Sequence, residues 1–154
     1  MFFKLAVAMV AAAAALVPAR AETHTVTFIN NCGYGTPMLE SQNGDVLSTG
    51  AAYTTNGPLI AIAFLQTGVC GPDGENCAIV ETTLKNGNSS TALCPNPPYG
   101  SQAIIGFSYY NGCDGLGSDC PSATCTDAVQ QPNDTCVSVE CTADNVDLAI
   151  TFCD

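Results

Sequence analysis

Ten cysteines constrain this chain more than any other feature, because all of them lie downstream of an N-terminal stretch that reads as a secretory signal. Met1 to Lys4 carries one positive charge, Leu5 to Val17 is apolar, and Ala19-Arg20-Ala21 supplies the small residues that signal peptidase requires. Cleavage after Ala21 would divide the chain into a signal, residues 1–21, and one domain, residues 22–154. The apolar run is too short to span a bilayer, which takes about 20 residues. The polar C-terminus lacks the small-residue site and hydrophobic tail of a lipid-anchor signal. The expectation is a freely secreted, extracellular monomer with no membrane anchor.

The cysteines are Cys32, Cys70, Cys77, Cys94, Cys113, Cys120, Cys125, Cys136, Cys141 and Cys153. An even number in an oxidising compartment predicts that all are paired, although spacing permits many connectivities. Zinc would favour closer cysteine pairs together with histidine. Here Cys120/Cys125 and Cys136/Cys141 are each separated by four residues, and His24 is the only histidine. Neither a metal nor a cofactor is expected.

Removing the signal removes Lys4 and Arg20, which leaves Lys85 as the one strong base against fourteen acidic residues. Nucleic acid and anionic bilayers are held chiefly by Lys and Arg, so both are excluded as partners. The acidity serves solubility outside the cell, or it lines a concave site for a neutral or cationic ligand.

Short runs of period two recur between clusters of Gly, Pro, Asn and Asp, which is an all-β pattern. Thr25–Asn31, Pro37–Ser41, Asp45–Thr49, Leu59–Gln66, Ala78–Leu84, Ala103–Tyr110, Cys136–Cys141 and Asn145–Phe152 read as strands. Asn43-Gly44 supplies a tight turn between the second and third. Leu59–Gln66 is apolar on both faces and predicts a central strand covered on both sides. In the last strand, Val146, Leu148, Ile150 and Phe152 are expected to be buried, with Asp147 and Thr151 exposed. Asp73-Gly74 and Asp114-Gly115 read as turns rather than calcium loops. No internal repeat or domain boundary is visible, and the chain predicts a disulfide-rich β-sandwich or flattened barrel. Asn88-Ser89-Ser90 and Asn133-Asp134-Thr135 are glycosylation acceptors expected in loops.

Several segments, in order, resemble the thaumatin-like (pathogenesis-related, osmotin-type) superfamily, especially small ten-cysteine fungal members. Val26-Thr27-Phe28-Ile29-Asn30-Asn31-Cys32 is similar to its first strand and cysteine, and Leu148-Ala149-Ile150-Thr151-Phe152-Cys153 to its last strand. Between them, Thr67-Gly68-Val69-Cys70-Gly71, Val80-Glu81-Thr82-Thr83-Leu84 and Cys125-Thr126-Asp127-Ala128 resemble family motifs, as does Phe107-Ser108-Tyr109-Tyr110-Asn111-Gly112-Cys113-Asp114-Gly115. The resemblance implies a β-sandwich whose acidic cleft binds β-1,3-glucan, associates with cell walls or acts against fungi, and in some members hydrolyses glucan weakly. It also implies the pairs Cys32–Cys153, Cys70–Cys77, Cys113–Cys141 and Cys120–Cys125, leaving Cys94 for Cys136.

The same resemblance makes Glu81 and Asp127 the cleft acids and the only candidate catalytic pair. Strand alternation separates Glu81 from Val80 and Leu84 and groups it with Ile79 and Thr83. Asp114, Tyr109 and Tyr110 complete the candidate ligand-binding set, with one of the adjacent tyrosines expected inside and the other outside. Glycoside hydrolysis needs two carboxyls at a defined separation. Two departures argue against it: Ala92 stands where relatives tend to carry Asp, and the chain downstream of the signal has no Arg. The sequence therefore favours non-catalytic recognition of cell-wall polysaccharide. Weak β-1,3-glucanase activity through Glu81 and Asp127, and a role as a protein ligand or inhibitor, are the alternatives.

Overall fold

Period-two alternation sorts the side chains onto the faces of two sheets. The computed structural model describes residues 21–95, 104–120, 136 and 138–153. These residues form strands β1 (Thr23–Asn30), β2 (Thr36–Ser41), β3 (Val46–Ser48), β4 (Tyr53–Asn56), β5 (Leu59–Gln66), β6 (Ala78–Leu84), β7 (Ser89–Pro95), β8 (Ile105–Tyr110), β9 (Gly117–Cys120), β10 (Ser138–Cys141) and β11 (Asp147–Phe152). One sheet has the order β4-β1-β11-β8-β9, the other β10-β7-β6-β5-β2-β3. Residues 1–20 of the expected signal lie outside the described residues.

The inner faces of the two sheets make the main core. Val26, Ile105, Phe107, Tyr109, Leu148, Ile150 and Phe152 from the five-stranded sheet meet Leu39, Leu59, Ala61, Ala63, Leu65, Val80, Leu84 and Leu93 from the six-stranded one. Full burial of a Leu, Ile, Val or Phe side chain contributes about 1.5–3 kcal/mol, so this layer dominates stability. Val146 is buried with it, just before β11. Phe107 and Tyr109 meet edge to face, with ring centroids 6.1 Å apart.

A second, smaller cluster covers one end of the outer face of the six-stranded sheet. Phe64, Ile79, Ala92, Cys77 and Cys94 are buried there, against Met38, Ile62, Cys70 and Cys136. Its cover is the Pro72–Gly74 turn between β5 and β6. Gly74 has φ +69°, and a Cβ on it would lie 2.8 Å from Ile79 Cγ2 and 2.9 Å from Phe64 Cδ1, so glycine is required twice over. Asp73 and Asn76 take positive φ in the same turn. At the other end of this face nothing comparable covers β5: Ile60 is 49% exposed. The expectation that β5 is covered on both sides therefore holds only for its Phe64 end.

Disulfides join Cys32 to Cys153, Cys70 to Cys77, Cys94 to Cys136 and Cys113 to Cys141. Cys120 is also disulfide-bonded, whereas Cys125 lies outside the described residues. Among the described residues no cysteine is free. Cys32–Cys153 locks the pair β1/β11, which run parallel in the register Val26 to Leu148 through Asn30 to Phe152.

Two expectations are corrected by burial and pairing. Asp147 is 8% exposed, not a surface residue: its Oδ1 accepts the Thr25 backbone N–H at 2.6 Å and its Oδ2 accepts Asn111 Nδ2 at 2.6 Å. A carboxylate with two such donors is satisfied off the solvent. The Asn88-Ser89-Ser90 acceptor is not wholly in a loop. Asn88 is exposed at the β6–β7 turn, while Ser89 and Ser90 belong to β7, with the Ser89 hydroxyl bonded to the Lys85 backbone N–H and C=O. Asn133 lies outside the described residues.

Candidate functional site

Glu81 stands near the middle of an open groove on the outer face of the six-stranded sheet. Ladder pairing places Ser138, Ala92, Glu81, Ile62 and Glu40 in one row across β10, β7, β6, β5 and β2. At about 4.8 Å per strand such a row spans roughly 19 Å. A second row carries Glu140, Ser90, Thr83 and Ile60. A depression of about 420 Å³ is lined by Gln42, Ile60, Ile62, Glu81, Thr83, Ser90, Ala92, Cys136 and Ser138. An adjoining one of about 500 Å³ is lined by Ser41, Gln42, Asn43, Gly44, Ile62, Asp73, Ile79 and Glu81. The two share Gln42, Ile62 and Glu81, and together they form one groove.

Its chemistry is mixed. Exposed Ile60, half-buried Ile62 and buried Ala92 give an apolar floor, while Glu81, Thr83, Ser90, Ser138 and Gln42 offer hydrogen-bond donors and acceptors. Beneath the far rim, burial pushes the Glu40 carboxyl above the usual carboxylate range, and the charge of nearby Asp73 adds to the shift. A hydrogen bond from the Asp73 backbone opposes it. The rim turn is fixed by the Gly44 N–H bonded to Ser41 O at 2.9 Å, with Gly44 at φ +81°.

Ala92 is the direct cross-strand partner of Glu81. Opposite residues on one face have Cβ atoms about 4.5–5.5 Å apart. A second carboxyl at this position would flank Glu81; a methyl group stands there instead. Asp127, the other candidate acid, lies outside the described residues.

The remaining candidates do not gather at the groove. Tyr109 is 1% exposed, so it offers no face to a sugar and is withdrawn as a ligand contact. Its hydroxyl is 2.9 Å from both Thr91 Oγ1 and Val139 O, and burial pushes its pKa up. Tyr110 points outward from the five-stranded sheet, half-buried and hydrogen-bonded to Thr27, with its pKa also raised by burial. Asp114 is exposed on the β8–β9 turn of that same sheet. Both are on a different sheet from Glu81. His24 is fully buried, its Nδ1 2.7 Å from Val146 O and its Nε2 3.2 Å from Glu22 Oε1. That arrangement braces β1 and leaves no imidazole for a serine nucleophile.

Sequence reasoning passed over Gln42, Ile60, Ile62, Asp73, Thr83 and Ser90 as groove residues. Alternation in β5 puts Ile60 and Ile62 on one face, which was the available signal. Ser90 becomes visible only once β7 is recognised as a strand beside Glu81, and the position of Ala92 directly opposite Glu81 follows from the same pairing.

No protein-family model matches the chain, and no curated protein matches it. Among solved structures it is similar to that of a thaumatin-like xylanase inhibitor, with a TM-score of 0.52 and 19% identity over 85% of this chain and 99% of that one. The fold is therefore thaumatin-like: an all-β, disulfide-rich two-sheet structure. The disulfides and this fold fit an extracellular protein, and no helix among the described residues is long and apolar enough to cross a membrane.

Proposed function

We propose that the protein, secreted as Glu22–Asp154, binds a neutral cell-wall polysaccharide, β-1,3-glucan, in the Glu81 groove without cleaving it. The observation that carries this reading is the pairing of Glu81 with Ala92 in a groove about five strands wide. The Glu81 carboxylate accepts hydrogen bonds from sugar hydroxyls while Ile60 and Ile62 pack under sugar C–H surfaces; hydrolysis requires a matched second carboxyl, and the position directly opposite Glu81 holds Ala92. The test is retention on insoluble β-1,3-glucan together with release of reducing ends. Wild type should be retained and Glu81→Gln weakened, with no turnover by either. Absence of retention by wild type overturns the reading, and turnover lost in Glu81→Gln and Asp127→Asn restores the glucanase.

A second reading, a non-catalytic inhibitor of a polysaccharide-degrading enzyme, draws on the solved structure of similar fold, a xylanase inhibitor. In that case the groove face meets a protein surface, and the half-exposed Ile60 is an apolar contact. Inhibition assays against a panel of xylanases and glucanases, with Ile60→Asp as the disrupting variant, distinguish it from glycan binding.

A further inference from the structure

We propose that Glu81 shields the Cys94–Cys136 disulfide from thiol reductants. The Glu81 carboxylate, Cys94 Sγ and Cys136 Sγ all lie within 4.8 Å of one another, and among the described residues no other disulfide has an acidic side chain this close to both sulfurs. The two sulfurs are bonded to each other, so the trio is not a metal site. Cys94 is buried, whereas Cys136 is half-buried and lines the groove beside Glu81. The groove therefore offers a reductant a route to this bond, and that route runs past the carboxylate.

Reduction proceeds by thiolate attack on one sulfur, with the other leaving as a thiolate. A second thiolate of the reductant then releases the mixed disulfide, so two electrons pass from the reductant, which becomes a disulfide, and two protons end on Cys94 and Cys136. Negative charge gathers at sulfur throughout: on the incoming thiolate, across the three sulfurs in line, and on the leaving group. A carboxylate about 5 Å away opposes each of these, slowing the reaction about fourfold in a water-like dielectric and more in a less polar one. It also raises the leaving thiol's basicity, which slows departure. The carboxylate thus preserves the covalent wall of the groove, whether or not the groove takes a polysaccharide.

The test compares native wild type with Glu81→Gln at low ionic strength, using three small thiols of different charge: 3-mercaptopropionate, 2-mercaptoethanol and cysteamine. Alkylation and peptide mass spectrometry follow each disulfide, with Cys32–Cys153 as the internal control. Taking the variant-to-wild-type rate ratio for each thiol cancels its intrinsic reactivity. The substitution should speed reduction of Cys94–Cys136 several-fold, most with the anionic thiol and least with the cationic one. The effect should shrink with added salt, and Cys32–Cys153 should be unchanged. Equal ratios for the three thiols, an unchanged rate, or a parallel acceleration of Cys32–Cys153 overturns the proposal. No glycan enters the measurement, so its outcome is separate from the fate of the binding reading.

Discussion

The Tyr109 hydroxyl, on the five-stranded sheet, donates to the Val139 carbonyl of the six-stranded sheet at 2.9 Å and so pins the two layers together. A carbonyl can only accept, which fixes the order of protons behind it: Thr91 donates to Tyr109 at 2.9 Å and Thr82 to Thr91 at 2.7 Å. Thr82 and Thr91 are buried hydroxyls on the inner face of the six-stranded sheet, and the chain satisfies both.

Tyr109→Phe should therefore destabilise the protein by about 1–3 kcal/mol, because it keeps the ring but strands a buried donor and a carbonyl. Denaturant melts at constant pH measure this. A change below about 0.5 kcal/mol would mean the network carries no net stability.

Asp147→Ala removes the acceptor of the Thr25 N–H and of Asn111 Nδ2 in one step. It should cost more than Asp147→Asn, which retains one carbonyl oxygen, and the expected loss is about 1–3 kcal/mol. Exchange protection of the Thr25 amide, followed by NMR, should fall in the alanine variant.

Glu40 gives the pH dependence a sign. Its carboxyl pKa is raised in the folded state by burial and by Asp73, so the native protein holds this proton more tightly than the unfolded chain. Its contribution to stability is thus greatest below the unfolded value of about 4.3 and is lost as pH rises toward the folded pKa. Glu22 works the other way. Hydrogen bonding from the Asn86 backbone, then from His24, lowers its pKa, and the stability this provides is lost as pH falls through that lowered value. Glu40→Gln should flatten the decline on the alkaline side of pH 4 while leaving the acid limb in place, as measured by melting temperature across pH 3–8.

Replacing Cys32 and Cys153 together by Ser should cost about 2–5 kcal/mol, since the bond closes a loop with a sequence separation of 121. Loss of heat stability with native circular dichroism at low temperature is the expected result.

The strands with a strong apolar signal were legible to the residue: Leu59–Gln66, a continuous apolar run, and Ala78–Leu84 have the bounds their patterns imply. β4, β7 and β9 were not, because Tyr53-Thr54-Thr55-Asn56, Ser89-Ser90-Thr91 and Gly117-Ser118-Asp119 carry little apolar signal. They become strands through ladders to β1, β6 and β8, where pairing rather than local preference decides. At the groove, alternation within β6 sufficed to turn Glu81 outward. What surrounds it depends on register between strands, which a period of two cannot supply. Asp147 shows the same limit. Period two puts it on the outer face, but the donors that bury it come from Thr25, 122 residues earlier in the chain, and Asn111, 36 residues earlier.

The parallel union of β1 with β11 sets an order of assembly. β2, β3, β5, β6 and β7 form neighbouring antiparallel pairs within residues 36–95, so most of the six-stranded sheet can form while the chain is still emerging. β1 has β4 available early on one flank, but its other flank waits for the last strand to be made. Until then the exposed edge of β1 is a template for any passing strand. Contacts between the two ends of the chain come late because closing so long a loop is entropically expensive. A truncation that removes β11 would consequently leave a half-built sandwich with an open parallel edge, prone to associate with its own copies.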